Sequence, residues 1–308
     1  MAVALDRNKE IQRILGELQA LRKKPSTEHA VRENIRFFKS IHNPWRYFKW
    51  LFTDALKITN TEDLFEINEL LPKYDEQMHR ALVSVERANF PGLVRPLVQV
   101  LYTAITEVGR GVVLLGLGAG GMETERQLIN LLHEKEWDRP VLFVSVDRSL
   151  EAHSFARKNL SESAAKVFFA GELSTGSIAT WRENSGITVV QCTNDIFALE
   201  QHFGASIFDI SYSSLFLHHL THTQQETLVR SLEKISKLVL MYDGYRSALQ
   251  LIPQSIVAWH NPVLMNASVF SGLRYRLPKE VRVFARDIQW CRGQGTYLAR
   301  FSAVGSHV

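Results

Sequence analysis

The chain reads as an α/β protein: a doubly wound, mostly parallel sheet ending in an antiparallel hairpin and preceded by an all-helical lobe. Three observations predict this. Residues 5–109 carry helical periodicity and little β signal. From Gly111 onward, short apolar runs alternate with helical stretches, the signature of a parallel sheet covered on both faces. A glycine-rich turn joins the first of those strands to its helix. At 308 residues the chain can bury a full core in two lobes, read as 1–92 and 93–308.

In the first lobe, Leu5, Ile11, Ile14, Leu15, Leu18 and Leu21 fall on one face of a helix that ends near Lys24-Pro25. A second helix is expected over 27–41. Asn43 and Pro44 then open a third as cap and first-turn residue. Further helices are expected over 61–71, 74–89 and 93–108. Residues 1–57 hold twelve Lys/Arg against six Asp/Glu, which reads either as a solvated helix surface or as a docking face for an acidic partner. The aromatic run from Trp45 to Phe52 reads as lobe packing or a cap rather than a base-stacking platform, because no wider basic field surrounds it.

In the second lobe, strands are expected at 112–116, 141–146, 187–192, 207–212 and 237–242. Helices are expected near 123–135, 150–161, 195–203 and 223–235. Residues 280–289 and 295–302, joined by Cys291-Arg292-Gly293-Gln294, read as the closing hairpin. The Ser247–Leu273 stretch between them reads as a buried helix pair or as the wall of a small-molecule pocket, with Trp259 shaping it.

Composition narrows the function classes. Hydrophobic content of 45% and 22% charged residues is ordinary for a globular protein, and a net charge of +4 makes no case for nucleic acid. Cys192 and Cys291 belong to no metal spacing, so no metal site and a reducing compartment are expected. The charged N-terminus lacks a signal-peptide block, and the longest uncharged run, Ser247–Leu273, is broken by Pro, Gln, His and Asn. A cytoplasmic protein with no membrane partner is the expectation.

Chemistry concentrates at the carboxyl ends of the strands, where open α/β sheets take ligands. The turn Gly116-Leu117-Gly118-Ala119-Gly120-Gly121 lets a ligand approach the backbone closely, and the following helix aims free N–H groups at it. Asp147, with Arg148 beside it, ends the next strand, where a carboxylate can accept two hydrogen bonds from a ribose diol. Together they describe a pocket for an adenosine-containing cofactor. The polar trio Thr193-Asn194-Asp195 ends the following strand. Asn194 or Asp195 there can meet an adenine amino group, or Asp195 can cap the next helix. The fourth strand runs through Ser211, Tyr212 and Ser213 to the pair His218-His219, which reads as a general base or as structural.

The pieces VVLLGLGAGG, VSVDRS, QCTNDIFAL, FDISYSSLFLHHL and KLVLMYDGYRS stand in an order and at spacings that resemble the class I S-adenosylmethionine-dependent methyltransferases of small-molecule type, over about Leu93 to Ser302. The resemblance implies a Rossmann-like sheet of seven strands with the last hairpin inserted antiparallel, and S-adenosyl-L-methionine as cofactor. It implies Gly116, Leu117, Gly118 and Gly120 under the methionine portion, Asp147 and Arg148 at the ribose, and Asn194 and Asp195 at the adenine. Ser211 and Ser213 border the same site. It further implies methyl transfer to an O or N nucleophile of a small molecule, with His218, His219 and Tyr212 as catalytic candidates and the helical lobe as lid or substrate selector. The chain departs from the family at Leu114, where an acid often helps to organise the amino-acid end of the cofactor; Glu123 and Glu125 are candidate substitutes. The glycine turn and Asp147 also satisfy the dinucleotide fingerprint of a nicotinamide-dependent oxidoreductase. Against that class, no Tyr-x-x-x-Lys pair follows the fourth strand, and the hairpin ending is foreign to it. A non-catalytic protein that binds the cofactor is the third reading, favoured by Leu114.

Overall fold

The computed structural model describes residues 2–21, 27–89, 92–182, 185–293 and 295–302. The chain divides into two compact units, one of residues 1–89 with 245–277, the other of residues 90–244 with 278–308. Among the described residues no helix is long and apolar enough to cross a membrane.

The helical unit begins with α1 (Ala2–Leu21), α2 (Glu28–Ser40), α3 (Pro44–Thr53), α4 (Ile67–Leu70) and α5 (Asp75–Asn89). Ile11, Ile14, Leu15 and Leu18 are buried along one face of α1, as their spacing requires; the side chain of Leu5 lies outside the described residues. The Asn43 side chain accepts the N–H groups of Trp45 and Arg46, and Pro44 opens α3. Tyr47, Trp50 and Leu51 turn into the core, while Trp45 is left exposed. The helix expected over 61–71 is reduced to α4. Asn60 donates to the Asp63 carboxylate at 2.5 Å, and such local bonds compete with helix formation.

The sheet unit runs α6 (Arg95–Val108), β1 (Val112–Leu117), α7 (Glu123–Glu134), β2 (Val141–Val146), α8 (Leu150–Leu160), β3 (Lys166–Gly171), α9 (Thr175–Arg182), β4 (Ile187–Cys192), α10 (Leu199–His202), β5 (Phe208–Ser214), α11 (His222–Ile235) and β6 (Ser236–Gly244). The chain then passes through α12 (Ala248–Ala258) and α13 (Pro262–Arg274) of the helical unit. It returns for α14 (Pro278–Phe284), β7 (Asp287–Cys291) and β8 (Thr296–Ser302). The strand order is β3-β4-β2-β1-β5-β6-β8-β7. The first six strands pair in parallel, and β8 lies antiparallel to both β6 and β7. β1 and β2 are buried along their whole length, so their sequences are continuous apolar runs rather than alternations.

Four sequence expectations are corrected. The sheet has eight strands, not seven: β3 (sequence KVFFAG), a short apolar run not read as a strand, is an edge strand with no buried residue. The helix expected over 195–203 is only α10. The first hairpin strand begins at Asp287 rather than at 280, because Pro278 starts a helix with Val281 on its buried side. Finally, residues 245–277 belong with the first lobe, although the expected boundary assigned them to 93–308. Leu264, Phe270 and Leu273 join Ile11, Phe37 and Trp50 in one apolar core. Asn266 accepts the Ile67 N–H at 2.7 Å and donates to Asn34 at 2.9 Å, while buried Arg274 pairs with Glu69 at 2.6 Å. The helix pair read over 247–273 is present, but only α13 is buried along most of its length; α12 buries Leu251, Ser255 and Ala258 and leaves Leu249 and Ile256 exposed.

Candidate functional site

In the sheet unit the chain moves from β1 to β2 on one side and later returns to β5 on the other, which makes the β1/β5 boundary the switch point of the sheet. β1 delivers the glycine turn to this edge. Gly118 and Gly120 hold φ of +58 and +48, a left-handed conformation that side chains with a Cβ rarely adopt. The Gly118 N–H donates to the Val146 carbonyl at 2.9 Å, which ties the turn to the end of β2. Asn159 of α8 donates to the Gly121 carbonyl at 2.6 Å.

Asp147 closes the arrangement. One carboxylate oxygen accepts the Gly120 N–H at 2.8 Å, the other the Ser149 N–H at 2.9 Å. His153 of α8 donates its Nε2–H to the Asp147 carbonyl at 2.8 Å and so fixes the backbone behind it. Asp147 is only half-buried. A carboxylate offers roughly four acceptor directions, so the two used by backbone leave capacity for a diol. Arg148, next in the chain, is exposed.

Gly116, Gly118 and Leu117 stand against protein groups. A Cβ on Gly116 would lie 2.8 Å from the Tyr212 hydroxyl and 2.9 Å from a Glu125 oxygen, so that space holds protein side chains. Over Gly118 the same test meets the Phe216 ring at 2.1 Å. Leu117 is a buried strand residue. Leu114 and Gly116, two apart in β1, share a sheet face, and Leu114 is part of its apolar core. The carboxylate on that face comes from α7 instead: Tyr212 donates to Glu125 at 2.7 Å. Burial pushes the Glu125 carboxyl up to about 7, against the lowering effect of that hydrogen bond. Burial and the adjacent Glu125 charge also raise Tyr212 well above the ordinary phenol range. Glu123, the other acid of this helix start, is paired with Arg126 and accepts from Gln127 at 3.1 Å.

Three of the residues expected at the cofactor, Asn194, Ser211 and Ser213, are bonded to protein. Asn194 is buried; its amide accepts the Leu173 N–H at 2.9 Å and donates to the Leu173 carbonyl at 3.0 Å, pinning one backbone residue as a neighbouring strand would. Ser211 and Ser213, on the same face of β5, are fully buried; Ser211 bonds Ser236 and Ser213 donates to the Met241 sulfur at 3.0 Å. All three polar groups serve the packing of strands and loops. Asp195 is exposed and accepts the Phe197 N–H at 3.0 Å, so it organises a turn; the cap position of α10 is Ala198.

The histidines stand on a short helical turn, Leu217–His219, directly after β5. Their ring centroids are 4.3 Å apart, with His218 buried and His219 half-buried. His218 is held by a residue that sequence reasoning missed. Asp243, buried near the end of β6, takes the His218 Nδ1–H at 3.0 Å on one oxygen and the His218 backbone N–H at 2.9 Å on the other. The Gly244 N–H adds a third bond to it at 2.8 Å. An ionised carboxylate only accepts, so Nδ1 carries the proton and Nε2 the basic lone pair. The available signal was an acid near the end of an apolar strand, KLVLMYDG, at the same sheet edge as Asp147. Tyr212 faces α7 and Glu125, not this pair.

No family model and no curated protein matches the chain. Among solved structures it is similar to the CurJ carbon methyltransferase, at 11% identity over 94% of this chain and 70% of that one, with a TM-score of 0.42. It is also similar to the plantazolicin methyltransferase BamL in complex with a triazolic desmethylPZN analog and S-adenosylhomocysteine, at 14% identity over 71% and 74%, TM-score 0.44. A third is magnesium protoporphyrin IX methyltransferase (ChlM) from Synechocystis PCC 6803 with bound S-adenosylhomocysteine, at 10% identity over 75% and 97%, TM-score 0.45. Scores below 0.5 leave the chemistry to be read from the residues themselves.

Proposed function

We propose that the chain is an enzyme that transfers a methyl group from S-adenosyl-L-methionine to an oxygen or nitrogen of a small-molecule acceptor. The observation that carries this reading is the pairing of two features on one sheet. Asp147, held open by Gly120 and Ser149, stands beside a left-handed glycine turn at the switch point, and β8 is inserted antiparallel between β6 and β7. The first suits an adenosine ribose; the second separates the sheet, by fold analogy, from the nicotinamide-dependent class that shares the turn.

The residues present suit that cofactor. Asp147 would hold the ribose diol, the Gly116–Gly121 turn would lie against the methionine portion, and Asp195 would border the adenine. When bound, S-adenosylmethionine supplies an electrophilic methyl group on a sulfonium. The protein's part is to align the acceptor and to take its proton. His218, oriented by Asp243, is the proposed base: its Nε2 would take the proton from an acceptor O–H or N–H that receives the methyl group. The imidazolium would then return its proton to solvent.

Titration calorimetry with S-adenosylhomocysteine and, separately, NAD tests the assignment. Binding of the first without the second is expected. Binding of NAD alone would place the chain among the oxidoreductases, and binding of S-adenosylhomocysteine without methyl transfer to any of a broad set of O- and N-nucleophiles would make it a sensor or scaffold.

A further inference from the structure

Helical spacing gives α3 an inner and an outer side. Tyr47, Trp50 and Leu51 pack into the core of the helical unit, and Phe48 packs partly against it. The opposite side carries Trp45, Lys49 and Phe52 at i, i+4 and i+7, a line along one face, with Arg46 beside it. Trp45 is 84% exposed and Phe52 49%, although such side chains are ordinarily drawn into a core. Residues 39–57 hold Lys39, Arg46, Lys49 and Lys57, all exposed, against the single acid Asp54. Asp54 accepts the Thr53 hydroxyl at 2.6 Å. The described ion pairs of α1 and α2 engage Arg13, Arg32 and Arg36 and none of these four cations.

We infer that the outer side of α3 is a docking surface for an anionic lipid bilayer. The helix lies in the headgroup layer, with Trp45 and Phe52 dipped toward the acyl chains and Arg46 and Lys49 on lipid phosphates. Lys39 and Lys57 add to the positive field. Aromatic rings beside long cationic side chains suit this boundary, because the rings settle at headgroup level while the cations stay in water. α3 has ten residues and is about 15 Å long, so its outer stripe falls far short of the roughly 800 Å² that each partner gives to a stable protein interface. A bilayer accepts a narrow stripe. Charge also argues against a second copy of the chain, since a two-fold contact would set Arg46 and Lys49 against the same cations. Leu249 and Ile256 of α12 form another exposed apolar stripe, but no charged residue lies from Ser247 to Leu273, so nothing there selects an anionic partner. The expected lack of a membrane partner rests on the absence of a spanning segment and a signal block, and lying on a bilayer surface needs neither.

The test is co-sedimentation of the full chain with vesicles of phosphatidylcholine, alone or with about a third phosphatidylserine. Wild type should bind the anionic vesicles about tenfold more tightly than the neutral ones, and lose that binding as sodium chloride rises from about 0.05 to about 0.5 M. Arg46→Gln with Lys49→Gln removes two charges, each worth about fivefold near such a surface, and should weaken binding roughly twentyfold. Trp45→Ser with Phe52→Ser should weaken it about tenfold. Both pairs change exposed positions and should leave the melting temperature as in wild type. The salt and lipid dependence of wild type keeps the inference testable if either variant does not fold. Leu249→Ser with Ile256→Ser should bind as wild type does. Equal binding to both kinds of vesicle, binding to neither, binding unchanged in the α3 variants, or an equal loss in the α12 variant would overturn the inference. So would a self-associated chain in sedimentation velocity that Trp45→Ser with Phe52→Ser returns to monomer, which would assign the stripe to a second copy.

Discussion

The two halves of the ligand edge treat similar residues in opposite ways. Around β1 and β2, Asp147 is fixed by backbone N–H donors and remains half-buried, with acceptor capacity to spare. Around β4 and β5, Asn194, Ser211 and Ser213 are equally polar and equally well placed along their strands, yet each is buried and already bonded to protein. A polar residue at a strand's carboxyl end binds ligand only if its neighbours leave it something to bind with. The partners that decide this, Leu173, Ser236 and Met241, come from other parts of the chain.

Four substitutions sharpen that contrast. His218→Ala should have the largest effect, lowering turnover about 10²–10⁴-fold, the usual range for loss of a general base, with S-adenosylhomocysteine affinity in calorimetry nearly unchanged. Wild-type turnover in this variant and a loss of that size in His219→Ala would move the role to the neighbouring ring. Asp147→Ala should weaken cofactor binding by about 1.5–3 kcal/mol, because it removes a charged acceptor from two hydroxyls. An unchanged dissociation constant in the folded variant would detach Asp147 from the ribose. Asn194→Ala should do the reverse. It leaves the Leu173 N–H and carbonyl unpaired and costs about 1–3 kcal/mol in denaturant unfolding, while the folded protein keeps its affinity. Selective loss of affinity at full stability would return Asn194 to the ligand. The smallest effect is expected from Gly118→Ala, destabilising by about 1–2 kcal/mol through its positive φ and the Phe216 ring. Phe216→Ala in the same chain should recover only the steric part, so full recovery would mean that the backbone conformation costs nothing.

Much of the sheet was legible because its signals are local. β1, β2 and β4 are apolar runs bounded by turn residues, and their limits fall within a residue of expectation. The glycine turn and Asp147 lie within one strand–helix–strand unit, so order along the chain was enough to bring them together. What stayed hidden depends on remote partners. Asp243 follows His218 by 25 residues and meets it only because β6 pairs with β5. Glu125 and Glu123 were both named as substitutes for the acid missing at Leu114, but that the first meets Tyr212 of β5 while the second pairs with Arg126 was not written in the helix alone. β3 escaped because its apolar run, VFFA, is only four residues long and marks a strand no more than a buried helix segment, and the affiliation of 245–277 escaped because helical periodicity does not say which core a helix will join.

The central claim, that the Asp147 edge takes an adenosine cofactor presented to His218, is tested most directly by a crystal structure with S-adenosylhomocysteine. The ribose hydroxyls should lie within about 3 Å of the Asp147 carboxylate, with the sulfur directed toward the β5 end that carries His218. A ligand bound with its ribose away from Asp147, or with its sulfur on the far side of the sheet from His218, would contradict the claim.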